Sequence, residues 1–263
     1  MKQICKDLAA EHEALDQVVA NLDEKGWSTV TYCWGWTIRD EISHLAYIDG
    51  TSKLAVIDKD AFIKHVKEMP KNFDKFHDLV LSSGRGKSGP EMLTWWREKR
   101  RDLVKVLEPL DPKDRLPWYG PSMSAKSFAT ARLMETWMHG HDIVDILKAD
   151  RPVTDRLQHI AHLGVVTLGW SYVTNQMEVP KVPVRVELTS PSGKLWTWGP
   201  ENADNQVRGS AEAFCLVVGR RRNIADTSLD VKGEVAKQWM EIGQIFAGPA
   251  EEAPKAGAFP KMV

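Results

Sequence analysis

The chain has 263 residues, of which 43% are hydrophobic and 27% are charged, and its 35 basic and 36 acidic side chains give a net charge of −1. This composition is ordinary for a globular protein, and no apolar run is long enough to cross a bilayer. The balanced charge gives no reason to expect nucleic acid or an anionic membrane as a partner.

The N-terminus and the cysteines favour a cytoplasmic protein. The first residues run directly into an amphipathic pattern, without the apolar core and small-residue cleavage site of a signal peptide. Cys5, Cys33 and Cys215 are odd in number and far apart, so they indicate neither a disulfide framework nor a thiolate zinc site. We therefore expect structural thiols in a reducing compartment.

Apolar residues at helical spacing predict five helices in the first two thirds of the chain. Thr37 and Asp40 are typical of a helix start and place the beginning of the second helix there. Residues 82–89 are rich in Gly and Ser and are predicted to form a surface loop, without the spacing of a phosphate-binding P-loop. The predicted helices span residues 2–25, 37–48 with an extension towards 66, 91–107, 124–148 and 159–176.

The hydrophobic period changes from helical to alternating after Pro180, which predicts a small domain with strands. A hairpin is expected over residues 182–198, followed by a short helix at 211–218, a third strand at 229–232 and a closing helix at 234–246. The sequence thus predicts an α+β protein. Its expected parts are a helical bundle over residues 1–178, a small α+β domain over 179–247 and a flexible tail over 248–263.

The fourth predicted helix carries an unusual stripe of polar side chains. Glu135, His139 and Asp142 are spaced four and three residues apart, so they share one helix face. A carboxylate and an imidazole one turn apart can offer oxygen and nitrogen to one divalent ion, and His44 on the second helix supplies a third donor. Three protein ligands with one open position are typical of catalytic zinc.

The spacing alone leaves plainer interpretations open. A helical Glu and His at this distance also form simple surface pairs, and a histidine near a core face is commonly hydrogen-bonded rather than metal-bound. His141 is a weaker candidate, because it points roughly opposite the His139 stripe.

Two segments resemble a known family. The segment from Trp34 to Asp40, followed by His44-Leu45, is similar to one signature of the mycothiol-dependent maleylpyruvate isomerases, a branch of the DinB-like metal-binding bundles. Glu135, His139-Gly140 and Asp142 resemble the second signature. The chain after Pro180 is more faintly similar to the sterol-carrier-like second domain of that family.

The resemblance implies a DinB-like four-helix bundle whose divalent metal, Zn²⁺ or another ion, is held by His44, Glu135 and His139. It also implies active-site roles for Asp142 and Arg220. The metal would activate a low-molecular-weight thiol such as mycothiol, for isomerisation or transfer on a small carboxylated substrate. Arginine would suit such a substrate, since its planar fork matches a carboxylate.

Several alternatives accompany this hypothesis. Asp142 could instead orient His139, and Arg220 could belong to a solvated cluster with Arg221 and Arg222. The metal could activate water in a hydrolase or lyase, or the chain could be a non-enzymatic protein that binds a lipid or acyl ligand. In the enzyme hypotheses the partner is a small-molecule substrate, with no nucleic acid and no membrane, and the chain is a monomer or homodimer.

Overall fold

The computed structural model describes residues 1–259 and Met262. It contains helices and two small sheets and divides into two compact units, Met1–Arg151 and Pro152–Val263. The predicted α+β class is confirmed. None of the described helices combines the length and the apolar character that a membrane span requires.

The first unit is a helical bundle with a short two-stranded sheet. Helix α3 packs on α6 and α7, and α1 packs on the same two helices, so these four long helices surround one core. Leu15, Ile42 and Trp96 are fully buried in it. The elements are α1 (Lys2–Val19), α2 (Glu24–Trp27), α3 (Ile38–Ile57), α4 (Lys59–Glu68), α5 (Phe73–Arg85), α6 (Gly89–Leu107), β1 (Arg115–Leu116), β2 (Met123–Ser124) and α7 (Ala125–Leu147).

A capping box starts α3 where the sequence predicted it. The backbone N–H of Asp40 donates to Thr37 Oγ1 at 3.2 Å, and the backbone N–H of Thr37 donates to Asp40 Oδ2 at 3.0 Å. These bonds satisfy backbone donors that a helix start leaves free. Arg85 Nε, at the end of α5, donates to the other Asp40 oxygen at 3.0 Å. The cap therefore fixes the start of α3 and also holds α5 against it.

The predicted loop over residues 82–89 is wrong in its first half, because α5 continues through Arg85. Gly84 lies against α3 so closely that a Cβ there would stand 2.4 Å from Ser43 Oγ. Such contact between small residues lets two helices approach and stabilises a helix whose Ser and Gly residues are weak helix formers.

Among its described residues, the second unit has a four-stranded sheet, four α-helices and a short 3-10 helix, Ile224–Asp226. The sheet order is β4-β3-β5-β6, in which β3 pairs antiparallel with β4 and parallel with β5, and β6 pairs antiparallel with β5. The β3–β4 pairing confirms the predicted hairpin. The elements are α8 (Leu157–Val166), α9 (Leu168–Thr174), β3 (Val184–Thr189), β4 (Leu195–Trp198), β5 (Asn205–Ser210), α10 (Ala211–Val218), β6 (Asp230–Lys232) and α11 (Glu234–Ile242).

The division between the units lies at Arg151, earlier in the chain than residue 178, where we placed it. Helix α8 packs on α10, so it belongs with the second unit. Gly164 makes this approach possible, since a Cβ at that position would lie 2.8 Å from Cε1 of Phe214. The single helix predicted over residues 159–176 is two helices, α8 and α9, with Thr167 between them.

The segment from residue 248 was predicted to be a flexible tail. In the structure, hydrogen bonds hold it against the rest of the second unit. The backbone N–H of Glu251 donates to Gln244 Oε1 at 3.0 Å, and that of Gly257 donates to Asp226 Oδ1 at 2.8 Å. In each bond a backbone N–H of the tail donates to a side-chain oxygen of the second unit. The last part of the predicted tail, residues 260, 261 and 263, lies outside the described residues.

Candidate functional site

The three predicted metal ligands meet between α3 and α7. Glu135 Oε2 lies 3.2 Å from His44 Nε2 and 3.3 Å from His139 Nε2. The two imidazole ring centroids are 4.5 Å apart. One oxygen and two nitrogens therefore point to a common position, and the donor atoms of this group all lie within 4.8 Å of one another. We call His44, Glu135 and His139 the donor triad.

The helices position the donor triad by their regular geometry. Glu135 and His139 are one turn apart on α7, and α3 packs against that helix and brings His44 to the same face. His44 and His139 are only 8% and 5% exposed. Polar side chains buried to this degree require partners, and here each is the partner of another.

The surroundings set different charges on the triad. Burial lowers the pKa of His44 to about 3, and the neighbouring His139 adds to the shift. For His139 and Glu135, burial opposes the observed pKa shift. The hydrogen bonds to Glu135 and Glu41 nevertheless raise the pKa of His139 to about 9. Hydrogen bonds from His139 and His44 likewise hold the pKa of Glu135 well below its usual range. The triad thus offers a neutral imidazole and an anionic carboxylate.

A fourth residue, Glu41, contacts the triad and was not predicted as part of the site. It is fully buried, and its Oε2 accepts a hydrogen bond from His139 Nδ1 at 2.7 Å. Its Oε1 accepts a hydrogen bond from the hydroxyl of Thr31 at 2.6 Å. The available sequence signal was its position three residues before His44, which places both on one side of α3.

Asp142 lies on the same side of His139 as Glu41, at a greater distance. Asp142 Oδ2 is 3.8 Å from His139 Nδ1, beyond hydrogen-bond range. Together with Cys33 and Glu41, these residues form a second group of donor atoms within 4.8 Å of one another. Asp142 therefore adjoins the triad as the helical spacing indicated, and its catalytic role stays a prediction.

Aromatic rings form one wall of the site. Trp36 stacks on His139 with ring centroids 5.9 Å apart and an interplanar angle of 13°, and it lies 5.5 Å from the ring of His44. Trp34 stacks on His77 of α5 at 5.1 Å, and His77 lies 6.4 Å from His44. Burial lowers the pKa of His77 to about 4, so this ring is neutral near pH 7. No metal-ligand spacing in the sequence singled out His77.

Two other polar residues considered at the sequence level lie in different surroundings. His141 stacks on Trp137 and has its Nε2 3.5 Å from Asp145 Oδ1, so it pairs outside the triad. In the second unit, Arg220 is 7% exposed and its Nη1 donates to the carbonyl of Glu241 at 2.7 Å. This burial contradicts the solvated-cluster alternative for Arg220, while its catalytic role stays a prediction.

The protein therefore belongs to the class in which an N-terminal helical bundle carries a histidine–carboxylate triad and is followed by a small α+β unit. Residues 8–144 match the family described as the mycothiol maleylpyruvate isomerase N-terminal domain. The chain belongs to this family, in agreement with the resemblance of its motifs.

The chain is also similar to a protein of known sequence and to two solved structures. An uncharacterized protein of Mycobacterium tuberculosis, found in two strains, is 42% identical over 243 residues, which are 92% of this chain and 95% of that protein. Two crystal structures of the mycothiol-dependent maleylpyruvate isomerase also match. The TM-score is 0.58 for the structure of a point mutant and 0.55 for the other structure. Each match has 13% identity and covers 84% of this chain and 89% of the other, so it shows a shared fold.

Proposed function

We propose that the chain is a divalent-metal-dependent enzyme that activates a low-molecular-weight thiol for isomerisation or transfer on a small carboxylated substrate. The observation that carries the proposal is the convergence of His44, Glu135 and His139: Glu135 Oε2 lies 3.2 Å from His44 Nε2 and 3.3 Å from His139 Nε2, and one ligand atom of each residue lies within 4.8 Å of the others. Family membership supports the thiol, since the matched family is described by mycothiol and maleylpyruvate.

The donor triad fits a divalent ion by its chemistry. Two imidazole nitrogens and one carboxylate oxygen form the ligand set of several catalytic zinc sites, which keep a further position open. Burial holds His44 in the neutral form that a ligand needs. His44, Glu135 and His139 would therefore hold Zn²⁺ or a similar ion. Such an ion supplies Lewis acidity, which lowers the pKa of a thiol so that the thiolate is present near neutral pH.

We assign separate tasks to Glu135 and Trp36 at the triad and, from the resemblance, to Arg220 in the second unit. Glu135 contributes the negative charge that offsets a dication, and its pKa, held low by the two histidines, keeps it ionised. Trp36 covers the face of His139 and is only 7% exposed, so it shields that side of the triad from water. Arg220, by the resemblance alone, would bind a substrate carboxylate through its planar fork.

Turnover measurements with defined thiols test the proposal. The protein is loaded with Zn²⁺ and incubated with maleylpyruvate and each of a panel of thiols that includes mycothiol, and the loss of the cis isomer is followed. We expect turnover that requires both the ion and a thiol, and that is lost in His44→Ala and retained in His141→Ala. Absence of turnover with every thiol would contradict the isomerase proposal. Thiol-independent turnover would instead indicate that water is the activated group.

A further inference from the structure

Glu41 lies between the donor triad and the loop that covers it. One carboxylate oxygen accepts from His139 Nδ1 at 2.7 Å, and the other accepts from Thr31 Oγ1 at 2.6 Å. Thr31 is itself anchored to the loop, since its backbone N–H donates to the carbonyl of Trp36 at 2.7 Å. A continuous chain of contacts therefore runs from the Trp36 loop through Thr31 and Glu41 to His139.

A fully buried carboxylate is costly unless its oxygens accept hydrogen bonds, so the position of Glu41 requires an explanation. Its charged partner is His139, and the bond uses the ring nitrogen that faces away from the other triad members. A carboxylate that accepts from one nitrogen of a ligating histidine fixes the ring and the tautomer, and directs the lone pair of the other nitrogen to the metal. Here that other nitrogen is His139 Nε2, the atom 3.3 Å from Glu135.

We propose that Glu41 is a positioning residue that, together with Thr31, orients His139 and so sets the affinity of the triad for its divalent ion. The inference rests on the metal site of the proposed function. The alternative orienting carboxylate, Asp142, is 3.8 Å from the same nitrogen, whereas Glu41 is within hydrogen-bond distance at 2.7 Å. The ring of His139 is thus held at its edge by Glu41 and on its face by Trp36.

The inference predicts a graded loss of metal affinity. Dissociation constants for Zn²⁺ and Co²⁺ are measured by competition with a chromophoric chelator in the full-length protein. Glu41→Ala removes the acceptor and should weaken binding by about 10–100-fold, the range known for such partners of metal-bound histidines. Glu41→Gln keeps an acceptor oxygen without the charge and should lose less. Thr31→Val, which removes only the hydroxyl donor, should have the smallest effect of the three.

A matched substitution separates positioning from general destabilisation. Glu11 is also a buried glutamate of the first unit, 2% exposed and ion-paired with Arg151, so Glu11→Gln makes the same chemical change away from the triad. Thermal midpoints identify folded variants, and the visible absorption of the Co²⁺ form reports the ligand field. We expect Glu41→Gln to shift this absorption and Glu11→Gln to leave both the absorption and the affinity unchanged.

The outcomes separate the two proposals. If the unaltered protein binds the ion and folded Glu41→Gln and Thr31→Val bind it equally well with the same Co²⁺ spectrum, the role of Glu41 is wrong and the metal site stands. A larger loss in Asp142→Asn than in Glu41→Ala would assign the orienting role to Asp142 instead. If the unaltered protein binds neither ion, the proposed function itself fails, and the role of Glu41 fails with it.

Discussion

The first unit contains two buried clusters of histidine and carboxylate, and they are neutralised in different ways. In the inner ion-pair cluster (His12, Asp16, Asp49, Arg100 and Arg132), the carboxylates have guanidinium partners. Arg132 Nε donates to Asp49 Oδ1 at 3.0 Å, and Arg100 Nη2 donates to Asp16 Oδ2 at 2.6 Å. In the donor triad and its neighbour Glu41, the carboxylates pair with histidines.

This difference explains why similar residue types lead to different expectations. Arginine carries a permanent positive charge, so the inner ion-pair cluster is balanced by the chain itself. At the triad the available positive charge is a proton on His139, whose pKa is raised to about 9, while His44 stays neutral. A divalent cation can replace such a proton, because metal binding displaces protons from its ligands. We therefore expect a metal at the triad, where the carboxylates pair with histidines, and not at the inner ion-pair cluster, where they pair with arginines.

The largest effect is expected from removing the proposed metal ligands, which tests the difference between the two clusters directly. We expect His44→Ala and His139→Ala to abolish metal binding, because each removes one of three ligands. His12→Ala, in the inner ion-pair cluster, and His141→Ala should leave it largely intact. Elemental analysis of protein loaded with Zn²⁺ and then dialysed gives the metal content. Full metal content in the two former variants would contradict the site.

Removing the guanidinium of Arg132 from the inner ion-pair cluster should produce the next largest effect. Arg132→Met leaves Asp49, which is fully buried, without its guanidinium partner. Breaking a buried ion pair from one side typically costs about 3–5 kcal/mol in the free energy of unfolding, and urea unfolding followed by tryptophan fluorescence measures it. Arg85→Met is the control, because Arg85 is 51% exposed and its pair with Asp40 should be worth under about 1 kcal/mol. Similar losses in both variants would show that burial does not distinguish the pairs.

A smaller effect is expected at Gly84, where α5 approaches α3. In Gly84→Ala the new Cβ would stand 2.4 Å from Ser43 Oγ and 2.6 Å from Cε of Met92. Overpacking of this kind typically costs about 1–3 kcal/mol, measured by the same urea unfolding. At Gly86 a Cβ would meet no atom within 4 Å, so Gly86→Ala serves as the control with a near-neutral outcome. An unchanged midpoint in Gly84→Ala would show that the two helices separate without cost.

The smallest effect concerns pH and the inner ion-pair cluster. Burial, with help from Arg100 and Arg132, lowers the pKa of His12 well below its ordinary value of 6.5. The folded chain keeps His12 neutral while the unfolded chain takes up a proton, so its contribution to stability is present above pH 6.5 and is lost as the pH falls. One such proton gives a slope of about 1.4 kcal/mol per pH unit. Urea midpoints between pH 6.5 and 5 should fall less steeply in His12→Gln, and identical slopes would exclude this role.

The sequence predicted the parts of the fold that local patterns determine. The capping pair Thr37–Asp40 located the start of α3, and the apolar run over Ala211–Val218 gave α10 with the same bounds. Strand β5 was missed because Val207 is its one buried residue and its other side chains are polar or Gly, which gives no alternation. Helix α5 was missed as a whole, and its last residues were predicted to be a loop; Gly84 there lies against Ser43, a tertiary contact that residue preferences do not encode.

The site residues, too, divide into those that local spacing predicted and those that depend on tertiary contacts. Glu135 and His139 share one helix, so their spacing predicted their proximity, whereas the approach of His44 depends on helix packing and was supported by resemblance. Glu41 belongs to the first turn of α3, where an acidic residue is common at a helix start, so its buried contact with His139 was hidden. Arg132 is 1% exposed and was missed, because an arginine is rarely buried and only its pairing with Asp49 makes the position possible.

The capping box of α3 has a consequence for the annotation of genomes. The family-like segment from Trp34 to Asp40 ends in the hydrogen bonds that begin α3, and His44, the proposed ligand, follows one turn later. A related chain could keep this segment, fold in the same way and lack the histidine. Such a chain would still match the family through this segment, yet it would lack one of the three ligands that we propose for the ion. Inheritance of the proposed metal site therefore has to be judged at positions 44, 135 and 139, and not by the strength of the overall match.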